Sequence, residues 1–528
     1  MTVFKSFMAG ASGARHLVRL AVVLALAACV PLPPAQDTEY NDAYGKRVLN
    51  AGFTLISDRY IDPISLHDIA LSGMSGLNSL DSDFEVVDKG RGAQLTYANR
   101  PIGTINLPTS EKPDAWSAVT VRAIAMARAA SPAVGEADAE AIFKAVFDGI
   151  VEPLDGFTRY AGNQRANEHR ALRDGFGGIG VSIRMEEDSA LILSVNATGP
   201  AADAKLQADD RMTHVAGDSV AGWTQRQLVD HLRGRIGTQV RFSIKRPGQS
   251  QVLRFTLTRA HIVPVTVSSR REEDVAIIRV VGFNRETASK VAAAVTAQLN
   301  APGPPLNGFI LDLRSNPGGL LDQAVEMVDA FLERGDIIST FGRHPRSLQR
   351  FVATVGDLSN GLPLVILVNG NSASASEVVT AALQDQARAI VIGTNSFGKG
   401  TVQTVLRLPN NGEITLTWSR LVTPSGYRLH QLGVLPTICT RADGQVVATE
   451  NLLEQVHDEM RGLAEQFTRW RATGNDDDSE SDRETLRNLC PSDSGSPDTD
   501  IAIAKNLLGD PALYKELIQK GTINLAGR

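Results

Sequence analysis

Three serines alternate with alanines at Ser372, Ser374 and Ser376, inside the stretch NSASASEVVTAALQDQARAIVIGTNSFGKGTVQ over residues 371–403. A hydroxyl at a helix entrance is well placed for nucleophilic attack, because the free backbone N–H groups there can hold a developing oxyanion. Such a serine needs a base. No histidine is close in sequence, His344 and His430 being the nearest, whereas Lys399 stands in a glycine-rich turn. An ordinary lysine titrates near about 10.4 and stays charged. Desolvation can pull it to roughly 7–8, where it can accept a serine proton. Its neighbours Phe397, Gly398, Gly400 and Val402 include no acid to hold the charge. A Ser–Lys pair is a recognised form of nucleophile activation. Taken alone, SASASE reads equally well as a Ser/Ala-rich helix cap, with Lys399 a surface lysine.

The surrounding pattern supplies elements to position these groups. An apolar run at 364–368 predicts a strand feeding directly into the serines. Val378, Val379, Ala382 and Leu383 then mark one face of a helix, and 389–392 reads as a strand. Upstream, strands are expected at 275–280 and 308–313, with helices at 287–299 and 320–332; a further strand follows at 413–419. Strands alternating with helices predict a mixed α/β core over 262–440. Sites in such cores lie at strand-to-helix junctions, where both Gly318-Gly319 and Ser374 fall. The glycines of Asn316-Pro317-Gly318-Gly319 let backbone N–H groups approach a carbonyl closely. The plainer alternative is a helix-start turn punctuated by Pro317.

These residues resemble the carboxyl-terminal processing (tail-specific) proteases: SASASE, LQDQAR and SFGKGTVQ, preceded by DLRSNPGG and followed by TPSGY and GVLP. The resemblance implies a Ser–Lys dyad with the nucleophile twenty-five residues before the lysine, which selects Ser374 for Lys399. It implies that Gln403 orients the lysine, that Asp385 is structural, and that Gly318 or Gly319 and Ala375 donate the oxyanion-hole N–H groups. Thr437 stands where relatives usually carry an acid. With Lys399 in place, His430 is expected to be structural. No cofactor or metal is implied. Asp476-Asp477-Asp478 lacks the alternation and glycine of a calcium loop.

The 528 residues suggest several domains rather than one core. A net charge of −6 gives no reason to expect nucleic acid as a partner. Residues 1–28 read as a targeting segment: Lys5, Arg15 and Arg19 precede an apolar run at 20–28, too short for a permanent span. Leu26-Ala27-Ala28-Cys29 resembles a bacterial lipobox, making Cys29 the lipidated residue and the membrane a partner through that anchor; an ordinary signal peptide with Cys29 incidental is the other reading. Val30 after the cysteine gives no argument for inner-membrane retention. Cys439 and Cys490 then either pair, as an oxidising compartment allows, or stay as buried thiols.

Residues 29–173 carry this tether and a helical region, with helices expected at 42–60, 64–77, 115–130 and 137–151 and a strand-rich insert at 83–106. The segment LDGFTRY closes it and resembles what precedes the PDZ domain in the same family. In relatives such helices build a dimer contact or a scaffold. Residues 174–261 show short strands with glycine punctuation and an amphipathic helix at 224–233, and resemble a PDZ domain. Such a domain adds a ligand as an extra strand, so Gly178, Ile179 and Gly180 are candidate binders of a protein's C-terminal tail; otherwise they only make a turn. Residues 441–528 read as C-terminal helices with a solvated acidic linker over 474–500.

The expectation is therefore a mixed α/β (α+β) chain: an exported, lipid-anchored serine endopeptidase of the bacterial periplasmic side. It would recognise substrates by their C-terminal tails, with a homodimer or an adaptor lipoprotein as the further partners expected. The competing readings are a non-catalytic tail-binding adaptor and a scaffold lipoprotein.

Overall fold

The structure is a computed structural model and describes residues 40–354, 356–440, 480–492 and 497–521. The leader, Cys29, the proline tether and the acidic residues 474–479 lie outside them.

Four helices, Asp42–Arg59, Leu66–Ser75, Pro113–Ala130 and Ala139–Val151, open the described chain. Polar caps start three of them: Asn41 Oδ1 accepts the N–H of Tyr44, Ser65 Oγ that of Asp68 and Asp138 Oδ1 that of Ala141. The insert is an antiparallel meander of Phe84–Asp88, Gly92–Tyr97 and Arg100–Asn106. The helices bury Phe53, Trp116, Phe143 and Phe147 completely.

The next unit is a five-strand path with a helix against it. Its last strand, β1 (Val181–Met185), has a neighbour on one side only, and helix α1 (Gln225–Leu232) packs beside it. Leu228 and Leu232 on α1 close over Ile183, Ile192, Val215 and Phe242.

The central sheet orders β2 (Val275–Val280), β3 (Gly308–Asp312), β4 (Leu364–Val368), β5 (Ile390–Gly393) and the short β6 (Ile438–Cys439) side by side, all parallel, with antiparallel Val267–Glu272 at the first edge. β3 and β4 are buried at every residue, as their unbroken apolar sequences require of strands covered on both faces. One face packs on helices Thr287–Asn300, Leu321–Asp329 and α2 (Ala375–Asp385). The other is covered by Ile503, Ala504, Leu507, Leu508 and Leu517 of the last two helices, Pro497–Leu508 and Pro511–Gly521.

A second, antiparallel sheet holds the hairpin β7 (Thr401–Arg407) and β8 (Glu413–Val422). Leu406, Leu408, Ile414 and Leu416 of this hairpin join the core of the opening helices. The helical region therefore shares a hydrophobic core with the strands that follow Lys399.

One expectation needs correcting, and one open alternative is decided. The acidic stretch is not solvated linker throughout: α3 (Glu480–Arg487) lies in it and buries Leu486 against the central core. The two cysteines are a disulfide, Cys439–Cys490, joining β6 to the segment after α3. Among the described residues no helix is long and apolar enough to cross a membrane.

Candidate active site

Ser374 sits in the turn between β4 and α2, at φ 57° and ψ −113°. L-residues rarely adopt this backbone, which costs about 1–3 kcal/mol and persists only where the surroundings enforce it. The three serines are no longer equivalent. Ser372 Oγ donates to the Leu313 carbonyl at 2.9 Å and accepts the Asn369 N–H, and Ser376 Oγ donates to the Asn316 carbonyl at 2.8 Å. Both are fully buried, whereas Ser374 is partly exposed.

Asn316 welds the glycine turn to the serine turn. Its carbonyl accepts the Ala373 N–H at 3.0 Å as well as Ser376 Oγ, and its Nδ2 donates to the Val280 carbonyl at 2.9 Å. The approach is close enough to exclude a side chain at Gly318, where φ is 97°: a Cβ would lie 2.9 Å from Ser374 Cβ and 3.0 Å from the Ala375 nitrogen. Asn316 Oδ1 also takes the Gly318 N–H at 2.9 Å. The N–H groups of Gly319 and Ala375 have no acceptor among the described residues.

Lys399 is half-buried in the turn between β5 and β7. Its Nζ lies 5.1 Å from the centroid of the Phe157 ring and makes no hydrogen bond or ion pair among the described residues. Burial pulls its pKa below the ordinary lysine value, and the charge of Arg159 adds to this. Acids absent from its sequence neighbourhood arrive from elsewhere: Glu377 and Asp155 oppose the shift without reversing it.

Glu377, which sequence reasoning passed over, connects the two candidates. Its Oε2 accepts the backbone N–H groups of Ser374 at 2.7 Å and Lys399 at 2.9 Å; its Oε1 accepts Ser396 Oγ and the Gly398 N–H, both at 2.6 Å. The side chain is completely buried, which pushes its pKa up, while these four bonds oppose the rise. Three backbone donors and a hydroxyl converge on its two oxygens, so the carboxylate form fits the site. The signal was present: Ser374 and Glu377 have the S-x-x-E spacing of a capping box.

Gln403 is placed on β7, where its Nε2 donates to Thr401 Oγ1 at 2.9 Å and Thr417 Oγ1 at 3.2 Å, not to Lys399. Thr417 in turn donates to Asp155 Oδ1 at 3.0 Å. Asp155 and Phe157 belong to the LDGFTRY segment, and no periodicity marks them as neighbours of Lys399. With Tyr60, Phe397, Arg420 and His430 they line a cavity of about 510 Å³ beside the lysine turn. Burial pushes the His430 pKa down, and its ring meets Phe157 edge-on at 6.2 Å. Asp385 Oδ2 accepts the Ser425 N–H at 2.9 Å. Among the described residues no group of three or more His, Cys, Asp or Glu is arranged to hold a metal ion.

Gly178, Ile179 and Gly180 run into the open edge of β1. Gly178 ends a strand paired with Ala260–Ile262, Ile179 is buried and its carbonyl accepts the Ala201 N–H, and Gly180, at φ 82°, accepts the Asn196 N–H. An unpaired strand edge beside a helix can receive one further strand.

Residues 274–440 match the model of peptidase family S41, and residues 177–257 that of the PDZ domain. The chain is 39% identical over 303 residues to a carboxy-terminal-processing protease of Bartonella bacilliformis, a match covering 57% of this chain and 70% of that protein. A Staphylococcus aureus protein named "Probable CtpA-like serine protease" is 30% identical over 305 residues, with 60% of its length covered. A solved structure of a photosystem II D1 C-terminal processing protease is 27% identical, covering 56% of this chain and 81% of that one, at a TM-score of 0.34.

Proposed function

The chain belongs to the carboxy-terminal-processing proteases of peptidase family S41, serine peptidases, and from that premise we propose that Ser374 is its nucleophile and Lys399 its general base. The observation that carries this assignment is the shared carboxylate: one oxygen of Glu377 fixes the backbones of both residues. Neutral Lys399 takes the Ser374 hydroxyl proton, the hydroxyl oxygen attacks the scissile carbonyl, and an acyl-enzyme forms. Ala375 and Gly319 supply N–H groups to the oxyanion, since that of Gly318 is held by Asn316. One such donor is worth about 10²–10³ in rate. Lys399 returns the proton to the leaving amine and then activates water for deacylation. Its Nζ makes no hydrogen bond to Ser374 among the described residues, a contact that free enzymes commonly complete only with substrate bound. Gln403 bonds Thr417, which donates to Asp155, whose charge acts on Lys399.

In this reading the PDZ domain captures a protein's C-terminal tail along β1, near Gly178, Ile179 and Gly180, and presents the preceding extended chain to Ser374. Export, lipidation at Cys29 and a periplasmic position on the membrane complete the proposal; they rest on the leader sequence alone, and the disulfide is consistent with an oxidising compartment. A homodimer or an adaptor lipoprotein is a further element of it.

The test is cleavage of an unfolded protein with an apolar C-terminal tail, in metal-free buffer, by the wild type and Ser374→Ala side by side. Cleavage by the wild type alone supports the assignment. Cleavage by both sinks it, and tail binding without cleavage by either favours a non-catalytic adaptor.

A further inference from the structure

The turn that carries Lys399 has no helix or strand from residue 394 to 400; scattered main-chain bonds to neighbouring segments, such as Phe397 N–H to the Ser372 carbonyl at 2.9 Å, and two side chains hold it. Glu377 holds it from inside. A second side chain holds it from outside. Arg487, at the end of α3, donates Nη2 to the Ser396 carbonyl at 3.2 Å and Nη1 to the Leu432 carbonyl at 2.8 Å. Its own carbonyl accepts Asn395 Nδ2 at 2.7 Å. Ser396 is thus gripped at both ends, its hydroxyl by Glu377 and its carbonyl by Arg487. The guanidinium also crowds Gly398, where a Cβ would lie 3.0 Å from Nη1.

Arg487 uses carbonyls and the Ser492 hydroxyl as partners and has no ion pair among the described residues. Its charge interacts favourably with Glu377. A half-buried arginine whose partners are main-chain carbonyls of the Lys399 turn and of the loop packed against it fits a positional task better than general stability.

Helix α3 has 8 residues, too few to persist unaided. Three residues beyond Arg487, Cys490 ties it to Cys439 on β6. A neighbouring contact, from Arg483 Nη1 to Gln431 Oε1 at 2.9 Å, grips the loop whose Gln431 N–H bonds the Gly398 carbonyl.

Resting on the assignment of Lys399 as base, we propose that Arg487 is a positioning residue for Lys399, and that the Cys439–Cys490 bridge makes this brace redox-sensitive. Reduction by a dithiol breaks the S–S bond: the dithiol gives two electrons and two protons, closes to its own disulfide, and leaves two cysteine thiols. Helix α3 then loosens, the turn loses its outer support, and Lys399 becomes misplaced and better solvated.

The experiment measures kcat, KM and the pH dependence of kcat/KM for the full chain on an unfolded, cysteine-free protein. It compares oxidised wild type, dithiothreitol-reduced and reoxidised wild type, Arg487→Ala, Arg487→Lys and Cys490→Ser. Arg487→Ala and reduction should each lower kcat by roughly tenfold to a hundredfold, the scale of a small misplacement of a catalytic group. KM should stay nearly constant and the acid limb of kcat/KM should move to higher pH. Arg487→Lys and reoxidation should recover much of the loss, and Cys490→Ser should match the reduced enzyme and ignore dithiothreitol. A merely structural arginine would lower the active fraction without moving the limb, and that result overturns the proposal. So does unchanged kcat in Arg487→Ala, or a loss confined to KM. An inactive oxidised wild type would instead sink the peptidase reading, and this inference with it.

Discussion

Ser374 and Lys399 donate their backbone N–H groups to the same carboxylate oxygen, Glu377 Oε2, at 2.7 and 2.9 Å. Helix α2 and the lysine turn are separate elements, and this buried oxygen joins their backbones beside the Phe397 N–H to Ser372 carbonyl bond at 2.9 Å. Glu377→Gln replaces one acceptor with an amide whose N–H groups face incoming donors. It should lower kcat by about 10²-fold with little change in KM. Glu377→Ala should also cost stability, about 1–3 kcal/mol for each buried donor left unpaired. Steady-state kinetics with urea unfolding separates the two effects. A fully active Glu377→Gln would refute the positioning role.

The three serines should part company under substitution. Ser374→Ala should reduce cleavage on the order of 10⁴-fold or more and leave thermal stability nearly unchanged, because alanine keeps the same backbone and only a partly exposed hydroxyl is removed. Ser372→Ala and Ser376→Ala remove buried hydrogen bonds and should cost about 1–3 kcal/mol each. Turnover per folded molecule should fall far less in these two than in Ser374→Ala. Equal losses of turnover in all three would contradict the geometry.

The pH dependence follows from Lys399, whose pKa burial depresses. As the proposed base Lys399 must be neutral, so kcat/KM should rise with pH through an apparent pKa below the ordinary value of 10.5. Stability carries the opposite burden. Between the depressed folded pKa and the unfolded one the unfolded chain binds more protons, so stability rises with pH across that window; the penalty is complete below it. Lys399→Met should therefore be inactive yet more stable, with its largest gain at low pH. A melting series across pH checks the sign.

The last helices should be indispensable for stability. Asp500 Oδ2 accepts Arg314 Nη1 at 2.9 Å, Asp500 Oδ1 accepts Thr440 Oγ1, and Arg314 also pairs with Asp312. All three charges are buried. Asp500→Ala leaves part of a buried guanidinium uncompensated and should cost about 3 kcal/mol. Ending the chain at residue 492 uncovers Val275, Ile310, Val365 and Ile392 and should give aggregating protein. Chemical unfolding and light scattering test both.

Tail capture should separate from chemistry. Gly180→Val sets a β-branched residue at φ 82° beside the open edge of β1. For substrates with an apolar tail it should raise KM about tenfold or more, a loss of roughly 1.4 kcal/mol of binding. For a short peptide spanning only the scissile bond, kcat should stay the same. A normal KM on tailed substrates would remove these glycines from the binding role.

Local pattern fixed much of this protein. Alternation, apolar runs and glycine punctuation placed four inner strands of the central sheet and the helices packed on its serine side to within a few residues, since these depend on periodicities of two and 3.6 along the chain; the edge strand Val267–Glu272, the short β6 and the helix Asn163–Asp174 carry no such pattern. The motif around Ser374 and Lys399 was legible because its residues are close in sequence. What tertiary structure decided are contacts between distant segments. Glu377 reads as a helix cap until the lysine turn folds over it. Asp155 and Phe157 precede Lys399 by more than two hundred residues, and only the shared core of helices and hairpin brings them together. The C-terminal helices look peripheral in sequence, yet they cover one face of the sheet and bring Arg487 to the Lys399 turn. Burial and buried charge are properties of what the fold places around a residue, so the depression of the Lys399 pKa, which its neighbours only allowed, was decided by the folded chain.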